Sequence, residues 1–559
     1  MSTLRRLKHS SELLDNMLHQ FCRVSSRTAL VKPPNILIRT DDTSRFNKWK
    51  ELLNSILENN MYTIYSIEGS KFHSHPWEET CALLIYEVTE KLENRDRLKL
   101  DHFLQRFSGK VLFQHSSMRE NLDSEIEFSI SDKKSLWNIE NLSDRAWFHE
   151  KGDKYFLNDN ICIISKDFIS EGICIDANSS RKETLSTILS RLQMSLKGKV
   201  STLPNAPNHG FIFLSGQFGI DNIFSMCSEK DFSFIRGSKL MMRFYSSEKS
   251  CKHLRDTSDT FGELKDDNLS LSVISAGIDA QCSFACKQYF ERLHTESLGR
   301  SVLYFDAVES TQEVLKRINV TSIKRDGIAV VARQQTKGKG RSGNEWLSPI
   351  GCMMVSCLVS IPLSSNLGRR LPFIQHIVAV AFVRALKSRE GYENLEINLK
   401  WPNDIYIKKS VKVGGVIVNS TFFDGDFKVI FGIGVNVCND RPTESVNSLI
   451  REYNAGNKTN LRELTIEEML AGMMNQVELL ISLCQKEGSD AFCREYYKYW
   501  LHDKQVVTLE SQNNEKAEIV GLDENGYLQV RLLNDCNLVS LQPDGNSFDM
   551  MRNLIVVKM

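Results

Sequence analysis

Between Ala332 and Pro349 the chain reads ARQQTKGKGRSGNEWLSP. Arg333, Lys337, Lys339 and Arg341 place four cations within nine residues, with no acid among them. Gly338, Gly340 and Gly343 let the backbone turn tightly and come close to a ligand, so cationic side chains and backbone N–H groups together suit a phosphate cradle. Trp346 adds a flat surface that suits a bound base or ring. The same composition also suits a solvated basic loop. The spacing is neither the GxxxxGK[ST] phosphate loop nor a dinucleotide fingerprint opening a helix.

Three further segments carry polar groups or glycines in unusual places. In Leu399 to Ile407, LKWPNDIYI, Pro402 cannot continue a central strand, so the chain turns there. Asn403 and Asp404 suit that turn through side-chain bonds to the backbone, or stand with Lys400 at the rim of a site. In VKVGGVIVN, Val411 to Asn419, Gly414 and Gly415 interrupt a strand-like run and mark a bulge or a close backbone approach. Lys412 just before them points to that ligand or is a solvated edge charge. In GIGVNV, Gly432 to Val437, glycines again sit in a β run, and Asn436 needs hydrogen-bond partners if buried.

The elements that must position these residues alternate in type. Val302 to Phe305, Ile328 to Ala332 and Met353 to Ile361 read as strands, Ser310 to Lys316 opens a helix, and Leu371 to Ser388 is a mostly buried helix. Hairpins follow at Ile405 to Ile407, Val411 to Ser420 and Lys428 to Gly434, with Asp424-Gly425 as a turn. Thr465 with Glu468 matches a capping box, and Ile466, Leu470, Met473, Val477 and Leu480 repeat at helical spacing until Gly488. The last sixty residues read as short strands, Gln505 to Glu510, Ala517 to Val520, Tyr527 to Leu532 and Leu538 to Leu541, enough for a small barrel or sheet. Before residue 270 the strand-like runs are Asn35 to Ile38, Tyr62 to Ile67, Ile161 to Ile164 and Gly210 to Leu214. Cys81 to Leu92 and Lys182 to Leu196 read as helices, giving an α/β domain. Ser246 to Asn268, polar and charged, is the linker candidate.

The whole chain has 559 residues, 70 basic and 70 acidic, so three or four domains with no net charge. That balance weighs against a nucleic-acid coat or a membrane-surface binder. No apolar run is long enough for a membrane span. Fourteen cysteines without a CxxC pair read as reduced thiols, not as a disulfide framework or zinc site. Arg5, Arg6, Arg23 and Arg27 faintly suggest a transit peptide, whereas Glu12 and Asp15 argue against one. No secretory signal or internal repeat is visible.

Taken in order, GKGRSGNEWLSP, KWPNDIY, KVGGVIVNS, GIGVNV and the terminal PDGNSFDMMRNLI closely resemble the biotin–protein ligases, in particular the eukaryotic holocarboxylase synthetase type, from about Val302 to Met559. The resemblance implies an α+β fold: a class II synthetase-like (biotin/lipoate ligase) mixed sheet with helices, a small C-terminal SH3-like β-barrel, and an α/β N-terminal extension. The corresponding divisions are a tail at 1–30, an α/β domain of uncertain role at 31–245, a linker and lead-in at 246–299, a catalytic domain at 300–500 and a β domain at 501–559.

It also implies roles. Ser310, Thr311, Gln312 and Gln334 bind biotin; Lys339, Gly340 and Arg341 close over biotin and its activated carboxyl; Lys412 contacts the reacting carboxyl and phosphate. Trp346 packs near adenine, and Gly338, Asn403 and Asn436 lie on the nucleotide side. Lys339, Arg341 and Lys412 are the catalytic set. Lys339 stands where many bacterial members have Arg, and Gln312 where they have Asn.

The implied substrates are biotin and ATP, with Mg²⁺ accompanying the nucleotide and no protein metal cage. Biotinyl-5′-AMP forms first. A lysine of a biotin-carrier domain then takes the biotin, the carriers being those of acetyl-CoA, pyruvate, propionyl-CoA and methylcrotonyl-CoA carboxylases. No nucleic-acid or membrane partner is expected, and the location is cytoplasmic with a mitochondrial form possible. The N-terminal half suits carrier recognition or regulation; no helix-turn-helix and no Gly-x-Cys-x-Gly nucleophile turn is found there, and Ser215 in LSGQFG reads as a turn serine. Two other readings stand beside this one: a lipoate or octanoate ligase, and a non-catalytic scaffold that retains the ligase fold.

Overall fold

A computed structural model of the chain describes most of residues 34–115, isolated segments between 147 and 275, and 283–557 apart from 319–322, 544–545 and 550–553. The first unit is a seven-stranded sheet built from β1 (Asn35–Arg39), β2 (Thr63–Ile67), β3 (Cys81–Val88), β4 (Val111–His115), β5 (Trp147–Glu150), β6 (Asp153–Leu157) and β7 (Ile161–Ile164), in the order β2-β1-β3-β4-β7-β6-β5. The first five in that order are parallel and the last two pairings antiparallel. Helix α1 (Thr43–Ile56) starts at Asp42, whose carboxylate accepts from the Ser44 N–H at 2.8 Å and the Arg45 N–H at 3.3 Å. It buries Trp49, Leu53 and Ile56 against Ile36, Ile38, Leu83 and Ile85 of the sheet.

Within Cys81 to Leu92, read from sequence as a helix, Cys81–Val88 form the strand β3, and 89–92 lie outside the described residues. Leu83, Leu84 and Ile85 are all fully buried because β3 lies between two parallel neighbours and both its faces are covered. A continuous apolar run of that length does not distinguish a buried strand from a buried helix. The first helix after β3 is α3 (Asn94–Phe107), preceded in the chain by the short α2 (Gly69–Ser74). Of Lys182 to Leu196, residues 182–184, 187–188, 191 and 193 lie outside the described residues, and 185–186 and 189–190 are helical; Ser215 and residues 247–267 of the linker candidate also lie outside the described residues.

The second unit is a twelve-stranded sheet. Its strands are β8 (His209–Leu214), β9 (Cys227–Ser228), β10 (Ser233–Arg236), β11 (Met241–Ser246), β12 (Asn268–Ser275), β13 (Ser301–Phe305), β14 (Ile328–Ala332), β15 (Cys352–Pro362), β16 (Ile397–Lys400), β17 (Asp404–Ile407), β18 (Val411–Phe423) and β19 (Asp426–Asn436). They run in the order β16-β17-β18-β19-β15-β14-β13-β8-β12-β11-β10-β9. The sheet therefore crosses the divisions expected at 245 and 300: β8 pairs with β13, from Ser301 against Leu214 to Tyr304 against Phe211. The physical reason lies in β13, where Val302, Leu303 and Phe305 have no solvent exposure and its free edge is satisfied by β8.

Helices cover both faces at the centre. On one side α6 (Phe373–Lys387) and α8 (Ile466–Glu487) pack on Met353, Val355, Cys357, Phe431, Ile433 and Val435, and the short α4 (Cys286–Arg292) packs on α8. On the other, α5 (Thr311–Arg317) brings Val314 and Leu315 to Leu303, Phe305, Val330 and Ala332. Alternate residues of β15 and β19 therefore belong to the core, and the intervening ones face a cavity. Helices α7 (Val446–Asn457) and α9 (Ser489–Tyr496) complete this unit. At the start of α8, Thr465 accepts from the Glu468 N–H at 3.3 Å, but the expected reciprocal half of the capping box is not made. The Glu468 carboxylate goes instead to Arg462, at 2.7 and 2.9 Å, and to Arg292 at 2.9 Å.

The third unit contains β20 (Val506–Leu509), β21 (Glu515–Leu522), β22 (Leu528–Leu532), β23 (Leu538–Leu541), β24 (Asn546–Asp549) and β25 (Leu554–Val557), ordered β23-β22-β21-β20-β25-β24. Its core of Val507, Leu509, Ile519, Leu528, Val530 and Ile555 closes around Trp401, which comes from the KWPND turn of the preceding unit and is fully buried. No helix among the described residues is long and apolar enough to cross a membrane.

Candidate active site

The sequence segments that drew attention meet at one cavity of about 450 Å³, a size common for small-molecule sites. One end is built on the start of α5. Ser310, Thr311 and Gln312 are almost fully buried there and line the cavity. The Thr311 N–H donates to Gln335 Oε1 at 2.8 Å, which fixes the Gln335 amide, and Gln335 Nε2 donates to Ser348 Oγ at 3.0 Å. Thr311 Oγ1 lies 2.8 Å from Ser356 Oγ on β15. Gln312 Oε1 accepts from Asn419 Nδ2 at 3.2 Å.

Two placements differ from expectation. Gln334 does not line the cavity; its neighbour Gln335 does, 7 % exposed. The chain is still extended here, with Gln335 bridged to Val308, so adjacent side chains point to opposite sides and a one-residue slip changes the answer. Gly338 also lies behind the wall rather than in it. A Cβ there would stand 2.3 Å from the Trp346 carbonyl oxygen, so the glycine permits the hairpin that the Trp346 N–H closes onto the Gly338 carbonyl at 2.9 Å.

The glycines of GIGVNV have a direct role in shaping the cavity. A Cβ on Gly432 would lie 2.5 Å from Gln312 Nε2, and one on Gly434 would lie 2.4 Å from Trp346 Nε1. Each bare Cα makes room for one large side chain, and the two are successive positions on the cavity face of β19. Asn436, next on that face, donates to Thr443 Oγ1 at 2.8 Å. Gln312, Trp346 and Asn436 thus follow one another along a single strand.

The charged groups in the wall are Lys339, Arg341, Lys400 and Lys412 against Glu345 and Asp404. Both carboxylates already face a lysine: Lys412 Nζ is 2.6 Å from Asp404 Oδ1, and Lys50 pairs with Glu345. Lys412 Nζ also stands 5.9 Å from the centre of the Trp346 ring. Lys339 bonds Glu313 at 3.0 Å; burial pushes the Glu313 carboxyl up, but Lys339 and Lys316 outweigh it and the net shift is downward. Arg341 Nη1 donates to Asn403 Oδ1 at 2.9 Å and Nη2 to the Pro543 carbonyl, so it joins the loop to the KWPND turn and the third unit. Asn403 Nδ2 in turn donates to the Val416 carbonyl at 2.5 Å, and the Val416 N–H to the Asn403 carbonyl at 3.0 Å. Behind Trp401, the backbone N–H donates to His502 Nε2 at 3.1 Å. Burial lowers His502 to about 4, so the ring is neutral and its Nδ1–H donates to Gln505 at 3.0 Å.

The structure therefore brings together Ser310, Thr311, Gln312, Lys339, Gly340, Arg341, Trp346, Asn403, Lys412 and Asn436. Sequence reasoning missed Gln335 and Ser356, whose signals were present as polar residues beside or within buried strands. It also missed Asn35, Thr63 and Tyr65, which line the same cavity from the first unit and carried no local signal.

Two family models match: the Biotin/lipoate A/B protein ligase family over residues 304–436, and the Biotin protein ligase C terminal domain over 505–551. A human biotin–protein ligase is 40% identical over 318 residues, covering 54% of this chain and 44% of that protein. One from Schizosaccharomyces pombe is 34% identical over 299 residues, covering 50% and 47%. Biotin–protein ligase 2 of Arabidopsis thaliana is 32% identical over 285 residues, covering 50% of this chain and 83% of that protein. The chain belongs to the biotin–protein ligase family. It spans a little under half the length of the human and fission-yeast ligases it matches.

Proposed function

We propose that this chain is an ATP-dependent biotin–protein ligase. The observation that carries the reading is the cavity's charge: Lys339, Arg341, Lys400 and Lys412 outnumber its two carboxylates, Asp404, which pairs with Lys412, and Glu345, which pairs with Lys50. Such a wall attracts an anion pair that would otherwise repel itself, a carboxylate and a polyphosphate. The Thr311–Gln335–Ser348 network at the opposite end supplies fixed donors and acceptors for a neutral, hydrogen-bonding ring system such as biotin's.

In the first step a biotin carboxylate oxygen bonds to the ATP α-phosphorus, and the bond to pyrophosphate breaks. Lys412 and Arg341 stand where both anions meet, with Lys339 at the rim, and oppose the charge that develops on the phosphoryl oxygens. In the second step the neutral amine of a carrier lysine attacks the acyl carbon, the bond to the AMP oxygen breaks, and the amide forms as the amine proton passes to solvent and AMP leaves. No protein nucleophile is required. Trp346 provides the face for the adenine, with Asn436 and Asn403 on that side. Magnesium enters as part of the nucleotide substrate. Phosphate oxygens and water would hold the ion.

The biotin-carrier domains of carboxylases are the acceptors on this reading, and the cytoplasm, with a mitochondrial form, is the expected location. ATP–pyrophosphate exchange with biotin and with lipoate in parallel tests the substrate. Exchange stimulated by biotin alone supports the reading; exchange stimulated by lipoate, or by neither acid, overturns it.

A further inference from the structure

The cavity is not made by the ligase portion alone. Asn35 and Thr63, the first residues of β1 and β2, line it together with Tyr65. The same unit holds the basic loop from outside at three points. Lys50 on α1 forms an ion pair with Glu345. The Glu345 N–H donates to the Tyr65 hydroxyl oxygen at 3.4 Å, and the Ser348 N–H donates to Asn60 Oδ1 at 3.4 Å.

These contacts follow from the local sequence. Helix α1 buries Trp49, Leu53 and Ile56 in its own sheet, which leaves Lys50 half-exposed toward the loop. Asn60 sits at φ 59°, a conformation that asparagine tolerates better than most residues, in the turn between α1 and β2. The loop residues they hold flank Trp346. Because the Trp346 N–H bonds the Gly338 carbonyl and the Gly340 N–H bonds the Asn344 carbonyl at 2.7 Å, the segment 338–346 is one closed hairpin. Holding Glu345 and Ser348 therefore holds Lys339, Arg341 and Trp346 as well. The ion pair has a second effect: it neutralises a carboxylate in a wall that must accept anions.

We propose that the N-terminal α/β unit is a clamp on this loop, with Lys50, Asn60 and Tyr65 as positioning residues that keep the hairpin closed over the cavity. The proposal rests on the ligase reading for its consequence, which is that the clamp sets how long a hydrolysable acyl-adenylate stays shielded before transfer. The three attachments at residues 345 and 348 are weak enough to release when a carrier lysine arrives, since an exposed ion pair and two long hydrogen bonds are each individually modest.

The test uses the full chain with Lys50→Glu, Glu345→Lys and the double charge swap, plus Tyr65→Phe. Two readouts are taken: amide hydrogen exchange across 338–348 in the ligand-free protein, and escape of biotinyl-AMP preformed on the enzyme. Each single reversal is expected to speed loop exchange and adenylate escape by about 2- to 5-fold, with the swap returning both to near wild type. Tyr65→Phe, which keeps the ring and removes the oxygen, gives a smaller change in the same direction. Loop exchange unchanged by Lys50→Glu overturns the clamp whatever happens to catalysis, as does failure of the swap to restore it. Loop exchange that responds and recovers as expected, in a protein that makes no biotinyl-AMP, supports the clamp contacts and overturns the ligase reading.

Discussion

Gly432 and Gly434 offer a way to perturb the two halves of the cavity separately from one strand. Neither takes a left-handed φ, so alanine is compatible with the backbone and the cost of substitution is set by what the new methyl meets. At Gly434 the Cβ would lie 2.4 Å from Trp346 Nε1 and 2.7 Å from Cε2. Restoring ordinary contact of 3.4 Å or more requires the ring to move by at least 1 Å. If Trp346 carries the adenine, loss of its stacking is worth about 1–3 kcal/mol, or roughly 5- to 150-fold in the KM for ATP. At Gly432 the methyl would instead meet Gln312 Nε2 at 2.5 Å and Ser356 Oγ at 3.0 Å, which disturbs the α5 end. Steady-state kinetics on both variants, with circular dichroism as a folding check, separates the two effects. Gly434→Ala should raise the KM for ATP and leave that for biotin nearly unchanged, and Gly432→Ala should do the reverse. Equal effects of both variants on both substrates would refute the division of the cavity along β19.

Three other outcomes are expected. Trp401→Ala removes the largest side chain in the core of the C-terminal sheet and should cost about 3–5 kcal/mol, read as a lower denaturation midpoint and faster proteolysis within 505–557. Gln335→Ala should raise the KM for biotin by roughly tenfold because it leaves the Thr311 N–H without its buried acceptor, whereas Gln334→Ala should stay within about twofold of wild type; kinetics on both variants checks this. Burial lowers His376 and His502 from the ordinary 6.5 to about 4, so the unfolded chain binds protons at these rings where the folded one does not. Their contribution is complete above pH 6.5 and is lost as the pH falls through about 4, at about 2–3 kcal/mol each by pH 4.5. Urea unfolding at pH 7 and 4.5 should show that loss, and His376→Asn should reduce it by about half, leaving the share of His502.

The segments that were legible in the sequence are those where one residue type conflicts with its surroundings. Glycines in the β run of GIGVNV, a proline ending a strand in KWPND and cations packed between glycines each pointed to a place where ordinary strand packing is interrupted. The structure shows the cause at each: Gln312 and Trp346 fill the space over the glycines, Trp401 leaves the sheet for the next unit's core, and Arg341 ties three segments together. The choice of Gln335 over Gln334 was not legible, because both are glutamines and only strand register separates them. Nor was the course of Cys81 to Val88, since a strand buried on both faces has no period to read. The pairing of β8 with β13 and the approach of Lys50, Asn60 and Tyr65 to the loop depend on contacts between residues about 90 to 300 positions apart, and hydrophobic pattern within a short window carries no trace of them.

Biotin transfer to a carrier is the most direct measurement. The purified full chain is incubated with biotin, Mg²⁺ and ATP together with an isolated biotin-carrier domain, and the carrier is followed by intact-mass spectrometry. Addition of one biotin at a single lysine, dependent on ATP and lost when that lysine is replaced by arginine, is the expected result. A carrier that stays unmodified while the folded chain binds biotin and ATP would contradict the assignment of a ligase activity to this cavity.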